Sequence, residues 1–339
     1  MSNKIMRKKI IYFIYTVLIV ILFYNSTEAI IIVQDFRGKD IILKKPAERV
    51  VCLIESALTG IYMLNQQHKI IGIPTNVYEE GYYYSETYKY YASLDERIRN
   101  KNIPAVGNWE KVNIEKVLSL KPDLIIIWAS QTDAISTFEK LGIPVYGVFI
   151  TKLDDVYKEI LDFGKLLDAE KRAKELVEYA QREVKYFKNI SSKIPNKKKV
   201  YFSWAQHNFL QTSCKGSIVD ELITLVGARN ICSHIKGESV TLNIEKLIYL
   251  NPDVILMWYS KSLTPLNIKS NKQLQMINAI KKNSIFQFSD TFSFDLWTLK
   301  FLYATKFMAK NIYPEIYNYN LKKEYQKIMS FLYGKNFLL

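Results

Sequence analysis

Cysteine is scarce in this chain of 339 residues, which contains only three. Cys52, Cys214 and Cys232 are too few for the framework of several bridges that stabilises small secreted domains. Cys214 and Cys232 could pair in an oxidising compartment, but their spacing alone does not settle the question. The sequence therefore excludes a fold that depends on a disulfide framework.

Histidine is equally scarce, and the three residues are His68, His207 and His234. No two of them stand at a spacing typical of metal ligands, which disfavours a bare Zn²⁺ or Ni²⁺ site built from several histidines. A metal held inside a chelator fits this composition better than a naked ion.

Short catalytic motifs are also missing from the sequence. It contains no G-x-S-x-G elbow, no Walker A loop, no G-x-G-x-x-G, no H-E-x-x-H and no C-x-x-C. These absences disfavour an enzyme. An exported hydrolase and a sensor module remain the alternatives of another class.

The first 29 residues have the organisation of a secretory signal. Four basic residues within positions 4–9 precede an uncharged run, 10–24, which is shorter than the roughly 20 residues that span a bilayer. Small side chains at Thr27 and Ala29 then suit signal peptidase. No cysteine is near this point, so we do not expect lipid attachment there. We predict a periplasmic or otherwise extracytoplasmic protein, which would be membrane-anchored if the segment stayed uncleaved.

The formal net charge is +14 at pH 7. Apart from residues 197–199, the lysines are dispersed along the chain, so no nucleic-acid partner is predicted. The excess of basic over acidic residues weakly favours an anionic ligand.

An internal repeat indicates the architecture. Residues 112–130 and 242–260 both contain Asn-Ile-Glu-Lys, then Pro-Asp, then an apolar run that ends in tryptophan. The offset is 130 residues throughout, too long for a solenoid repeat and typical of two related domains. Asn113 and Asn243 are good helix N-caps, and each copy predicts a short helix that leads into a strand.

Apolar runs rich in Ile and Val predict buried parallel strands, and helical patterns lie between them. The runs are 50–54, 70–73, 124–128, 145–150, 200–204, 254–258 and 285–288. Strands that alternate with helices predict an α/β fold of two lobes with mainly parallel central sheets, joined by one long backbone helix, with the ligand cleft between the lobes.

The predicted connection between the lobes has a helical period over residues 153–192, with Gly164 near one-third of its length. Its second part, 169–188, is rich in strong helix formers, and a helix of about 20 residues spans roughly 30 Å. We predict a signal segment over 1–29, lobes over 30–152 and 196–339, and a helical linker over 153–195. Residues 271–281 and 299–332 are predicted to form further helices on the second lobe.

With these pieces in order, the sequence resembles the periplasmic binding proteins that serve importers of ferric siderophores, haem and cobalamin. The resemblance includes the strand at 49–53, the segment Val106-Gly107-Asn108-Trp109, both Asn-Ile-Glu-Lys copies and the long linker. It implies a monomeric receptor without enzymatic activity or cofactor. Its partners would be a metal chelate and the permease dimer of an ABC importer.

The resemblance also implies a docking role for Glu115 and Glu245, because members carry one glutamate on each lobe that binds arginines of the permease. An alternative is purely structural. Each glutamate lies two residues past its N-cap, where a carboxylate interacts favourably with the helix dipole by about 0.3–1 kcal/mol.

Ligands of open α/β sheets bind beyond the carboxyl ends of the strands. The residues predicted there are Glu55, Ser56, Thr75, Asn76, Trp128, Thr151, Trp204, Trp258 and Ser289. Trp109 occupies a place where the cobalamin-binding members carry a cleft tryptophan. Trp297 follows Phe294 and Asp295 in a stretch that contributes to the cleft in the family. Aromatic walls suit a large, partly planar ligand.

The candidate ligand-binding residues are Trp109, Trp204, Tyr78, Trp128, Trp258, Asn76, His207 and Phe294. Tyr78 opens a tyrosine-rich segment, 78–91, that follows the second strand. A tryptophan at a strand end can equally belong to the core. The function predicted is capture of an iron(III)-siderophore-type chelate for an ABC importer, with cobalamin, haem or a nickel chelate as alternatives.

Overall fold

The protein is described by a computed structural model that covers residues 30–79, 87–206 and 208–334. The strands are β1 (Ile31–Gln34), β2 (Asp40–Leu43), β3 (Val50–Cys52), β4 (Ile70–Gly72), β5 (Leu124–Trp128), β6 (Val145–Val148), β7 (Lys199–Ser203), β8 (Gln211–Thr212), β9 (Arg229–Asn230), β10 (Val240–Thr241), β11 (Val254–Met257) and β12 (Ile285–Gln287). The helices are α1 (Glu55–Met63), α2 (Thr87–Leu94), α3 (Glu96–Arg99), α4 (Ile114–Ser119), α5 (Thr132–Lys140), α6 (Leu153–Leu166), α7 (Glu170–Ser191), α8 (Ile218–Leu225), α9 (Ile244–Leu250), α10 (Pro265–Ser270), α11 (Asn278–Lys281), α12 (Phe301–Ile312) and α13 (Leu321–Tyr333). Short 3₁₀ turns cover Gln67–Lys69, Thr75–Val77 and Lys272–Leu274.

Two four-stranded parallel sheets form the centres of the two lobes. The N-terminal lobe has the order β4-β3-β5-β6, and the C-terminal lobe has the order β12-β11-β7-β9. Val50 pairs with Leu124 in the first sheet, and Val200 pairs with Val254 in the second, so both centres are built alike. The central strands are buried on both faces, as parallel strands covered by helices must be. The predicted α/β fold with two parallel sheets is confirmed.

The repeat forms equivalent units in the two lobes, α4 with β5 and α9 with β11. The side chain of Asn113 accepts the backbone N–H of Lys116 at 3.0 Å, and Asn243 accepts that of Lys246 at 2.7 Å. Both asparagines are therefore N-caps. Each short helix then leads into a strand that ends at the edge of the cleft.

The linker contains two helices, α6 and α7, and α7 is the long backbone helix that the sequence predicts. Asp168, with a φ of 60°, breaks the helical path between α6 and α7. The start of α6 and the end of α7 line the same surface depression, so α7 runs back alongside α6. A Cβ atom on Gly164 would lie 2.5 Å from the Cβ of Ala173, so glycine permits this close packing. Helix α7 has 22 residues and a length of about 33 Å, enough to span both lobes.

One continuous hydrophobic core runs through both lobes. Tyr90 of the first lobe stacks on Phe292 of the second, with ring centroids 4.4 Å apart, and Ser293 Oγ donates to the Tyr90 hydroxyl at 3.4 Å. Helix α13 packs against α1, and Arg172 of α7 donates to the carbonyl of Phe331. The C-terminal tail therefore joins the lobes as well as covering the second one.

Two segments predicted to be helical are divided in the fold. Residues 271–281 form a 3₁₀ turn and the short helix α11 instead of one helix. The tail is divided into α12 and α13 around Pro314, which cannot continue a helix. The antiparallel hairpin of β1 and β2 was not predicted, and the predicted signal segment 1–29 lies outside the described residues.

A disulfide joins Cys214 and Cys232, which are 18 residues apart in the sequence. Replacing both cysteines by serine is expected to lower the free energy of unfolding by about 3 kcal/mol, because the bridge restricts the unfolded chain. Urea unfolding of the variant and of wild type, with and without reductant, measures this. Reduced wild type should match the variant, and equal stability of the oxidised wild type and the variant would contradict the expectation.

Candidate functional site

A cavity of about 600 Å³ lies between the lobes, where strands of both sheets end. Its described lining residues are Leu53, Ile54, Glu55, Ser56, Asn76, Glu79, Asn108, Trp109, Glu110, Trp128, Trp204, Gln206, Trp258, Thr291, Asp295 and Trp297. The position follows from the topology, because parallel strands place their carboxyl ends at one edge of each sheet. A cavity of this volume accommodates a small organic ligand or metal complex.

All five tryptophans of the chain line this cavity. Trp128 is the last residue of β5, and Trp258 directly follows β11, at the equivalent place of the repeat. Trp204 follows β7, and Ala205 after it adopts a left-handed conformation with a φ of 50°. Because this conformation is unfavourable for alanine, the turn that begins the cavity wall stores backbone strain.

Three of these tryptophans form a cluster on the C-terminal lobe. Trp204 stacks on Trp297, with ring centroids 5.7 Å apart and an interplanar angle of 9°. Trp258 lies edge-on to both, with centroid distances of 5.3 Å to Trp204 and 6.0 Å to Trp297. The indole N–H of Trp204 donates to Ser213 Oγ at 2.8 Å, next to the disulfide at Cys214. The disulfide segment therefore supports one wall of the cavity.

Trp109 stands on a tight loop at the rim and is 55% exposed. Gly107 adopts a φ of 129°, and a Cβ atom there would lie 2.4 Å from the carbonyl oxygen of Lys111, so the loop requires glycine. The side chain of Asn108 accepts the backbone N–H of Glu110 at 2.9 Å. Gln131 Nε2 donates to the carbonyl of Asn108 at 2.9 Å. The loop is thus fixed, while its indole stays accessible.

Two carboxylates of the cavity wall, Glu55 and Asp295, lie close to a buried lysine behind it. Glu55, the first residue of α1, accepts a hydrogen bond from Asn76 Nδ2 at 2.5 Å. Lys300 is 1% exposed, and its Nζ lies 3.5 Å from Asp295 Oδ2 and 3.8 Å from the centroid of the Phe292 ring. Burial raises the pKa of Glu55 to about 7 and raises that of Asp295, while Lys300 opposes both shifts. Burial lowers the pKa of Lys300 itself.

Because the pKa of Glu55 rises from 4.5 to about 7 on folding, ionisation of this carboxyl should destabilise the fold. The free energy of unfolding is unaffected below pH 4.5 and falls as the pH rises from 4.5 to about 7. Above pH 7 it is lower by about 3 kcal/mol. The groups that face Glu55 are Asn76, Tyr91, Asp295, Lys300 and Tyr333.

Glu55→Gln removes the titrating group and keeps these neighbours. We expect the variant to become more stable relative to wild type as the pH rises from 5 to 8, because only wild type loses stability when Glu55 ionises. Urea unfolding of both proteins at pH 5 and at pH 8 measures this difference. A difference that does not change with pH would show that Glu55 does not titrate in this range.

Of the predicted ligand-binding residues other than tryptophan, only some line the cavity. Asn76 lines the cavity. Tyr78 donates from its hydroxyl to the carbonyl of Ile103 at 2.9 Å and does not line the cavity. Phe294 is 2% exposed and stacks on Phe288 at 4.5 Å, in the core of the second lobe rather than on the cavity wall. His207 and part of the tyrosine-rich segment lie outside the described residues.

Sequence reasoning did not single out Asn108, Glu110, Gln206 or Thr291, which come from loops. Loops that line a cleft have no periodic pattern to mark them. Lys300 was missed as well, since a lysine in a helical tail normally points to solvent. Its neighbours Asp295 and Phe292 were the available signal.

Glu115 and Glu245 occupy equivalent positions in the first turns of α4 and α9. Both are exposed. The structure thus presents one accessible carboxylate on each lobe, at places related by the repeat.

Among the described residues, no three His, Cys, Asp or Glu side chains come together as a group that could hold a metal ion. Within the same part of the chain, no helix combines the length and the apolar composition needed to cross a membrane.

Comparison with known proteins identifies the family. A family model described as periplasmic binding protein matches residues 50–291. An uncharacterized ABC transporter substrate-binding lipoprotein of Bacillus subtilis (strain 168), YvrC, is 25% identical over 295 residues, which are 84% of this chain and 86% of the relative. The high-affinity heme uptake system protein IsdE of Staphylococcus aureus (strain Newman) is 23% identical over 199 residues, 57% of this chain and 68% of the relative. The crystal structure of a periplasmic solute binding protein from Veillonella parvula DSM 2008 has a TM-score of 0.72 at 25% identity, with 90% of this chain and 93% of that chain covered. Since the family model matches well over half of the chain, the chain belongs to the periplasmic binding protein family, the non-enzymatic, extracytoplasmic substrate-binding components of ABC importers.

Proposed function

We propose that this protein captures an iron(III)-siderophore-type metal chelate in the cavity between its lobes and delivers it to the permease of an ABC importer. The observation that carries the proposal is the convergence of all five tryptophans on one cavity of about 600 Å³. Tryptophan rings provide a large, rigid and polarizable contact surface, which suits a bulky and partly planar chelate. Haem is an alternative ligand for the same cavity, since one relative is a heme uptake protein. Cobalamin and nickel chelates would also fit a wall of this kind.

Delivery would proceed through docking, with Glu115 on one lobe and Glu245 on the other. Their exposure and their equivalent positions support this role, because a permease dimer offers two equivalent surfaces. Residues 1–29 would direct export, and an uncleaved segment would keep the receptor at the membrane, the location implied for the lipoprotein relative. A monomer is sufficient for this mechanism.

Intrinsic tryptophan fluorescence tests the proposal. Because every tryptophan lines the cavity, a saturable change in emission reports binding there. The mature protein would be titrated with ferric siderophores of several classes, haem, cobalamin and a nickel–histidine complex. N-acetyltryptophanamide, titrated in parallel, corrects for light absorbed by coloured ligands. Saturable quenching by one ligand at micromolar concentration or below is expected, and no response from the folded protein to any of them would refute metal-chelate capture.

A further inference from the structure

The charges at the cavity have the opposite sign to those of the chain. The sequence contains 47 Lys and Arg residues against 33 Asp and Glu residues. Yet every Asp, Glu, Lys or Arg among the described lining residues is a carboxylate. These residues are Glu55, Glu79, Glu110 and Asp295. The overall basic charge, which by itself points to an anionic ligand, is therefore not a guide to the cavity.

The carboxylates are arranged in two layers. Asp295 lies at the inner wall, where Lys300 balances its charge at 3.5 Å. Glu55 also lies on the wall, and its hydrogen-bond donor at 2.5 Å is the neutral amide of Asn76. Glu79 and Glu110 are exposed at the rim. Glu79 and Glu110 therefore give the rim negative charge, and a cationic ligand would favour the ionised form of Glu55, whose pKa is raised by burial.

The tryptophan cluster also favours a cationic ligand. The indole N–H of Trp204 donates to Ser213 Oγ. Because this donor is occupied within the protein, the Trp204 ring contributes π surface rather than a hydrogen bond to the cavity. The face of an indole ring is electron-rich and attracts cations, most strongly where water is excluded.

Resting on the proposed function, we propose that the captured chelate carries net positive charge. Its cationic group lies within reach of Glu55 and the rim carboxylates, and its apolar surface packs against the tryptophans. A chelate with several exposed carboxylates or catecholate charges would meet repulsion at Glu79 and Glu110. The cavity thus selects by charge as well as by size.

Two matched series of probes test the sign of the charge. The first is an Fe(III) complex of a linear trihydroxamate whose chain ends in an ammonium group, a neutral acetamide or an anionic succinamate. The second is cobalamin with an aquo, a cyano or a sulfito axial ligand, which changes the net charge on one scaffold. In a series whose scaffold binds, we expect the cationic member to bind about tenfold more tightly than the neutral one. The anionic member should bind more weakly still. This preference should shrink between 0.05 and 0.5 M salt, because salt screens charges at the rim.

Variants test whether the rim carboxylates cause the preference for the cationic probe. Glu79→Gln/Glu110→Gln keeps the shape of the rim and removes two exposed charges, so its fold should be unaffected. It is expected to weaken binding of the cationic probe severalfold and to leave the neutral probe unchanged. Glu178→Gln, an exposed position on α7 outside the cavity, is the matched control and should change neither.

Each further outcome separates the two proposals. If a neutral or anionic member binds as tightly as the cationic one, the charge inference is refuted and metal-chelate capture stands. If the rim variant weakens the neutral and cationic probes equally, the carboxylates act on the shape of the cavity and the inference is also refuted. If no member of either series binds and the wider ligand panel gives no response, chelate capture itself fails, and the inference fails with it.

Discussion

Replacing Glu115 and Glu245 together by glutamine is expected to reduce ligand uptake roughly 100-fold and to leave the Kd for the ligand unchanged. Both carboxylates are exposed, so they contribute little to folding of the free protein. Docking would bury them against cations of the permease, and loss of one partner of such a pair costs about 2 kcal/mol or more. Each single variant should lose less than the double variant, since each lobe supplies one contact.

Uptake of labelled ligand by proteoliposomes that contain the cognate permease measures this effect, and fluorescence titration measures the Kd. Glu170→Gln is the matched control, because Glu170 is an exposed glutamate in the first turn of α7 and should keep wild-type uptake. It separates docking from the helix-dipole effect that a first-turn carboxylate also has. Wild-type uptake by the double variant would exclude the docking role of these two glutamates.

Trp204→Ala is expected to lower the free energy of unfolding by about 3–5 kcal/mol, the usual range for truncation of a buried aromatic residue. Trp204 is 9% exposed and contacts Trp258 and Trp297, and its N–H is bonded to Ser213. The same change removes part of the cavity wall, so affinity for the ligand should fall at least about tenfold.

Trp109→Ala separates affinity from stability. Trp109 is 55% exposed, so its removal should change the unfolding free energy by less than about 1 kcal/mol. Affinity should nevertheless fall, because the indole lines the mouth of the cavity. Urea unfolding and calorimetric titration measure the two quantities, and Trp204→Phe controls for retention of an aromatic ring. If both alanine variants bound ligand like wild type, the tryptophans would be framework residues rather than contacts.

The part of the site carried by regular elements was predictable from the sequence. Trp128 and Trp258 stand at the ends of strands that the repeat made recognisable, and the topology then brings those ends together. Asn76 and Trp204 were found by the same reasoning. The family and the two-lobe fold were also predictable, since they depend on long apolar runs and on the order of motifs.

Residues on irregular segments were not predictable in the same way. Tyr78 is two residues from Asn76, yet its hydroxyl turns to Ile103 and away from the cavity. Phe294 and Trp297 lie on one turn-rich stretch, but Phe294 packs on Phe307 of α12, whereas Trp297 stacks on Trp204 in the cavity wall. The break at Asp168 is equally hidden, because aspartate is neither a glycine nor a proline and the residues on both sides favour a helix.

The shared hydrophobic core has a kinetic consequence. Separation of the lobes would break the Tyr90–Phe292 stack and expose the packing of α13 on α1. A receptor held in this way is already close to its binding geometry, and little affinity is lost to a closing equilibrium. Its association rate should then rise linearly with ligand concentration, with no plateau set by a slow conformational step, so the residence time of the chelate would govern affinity.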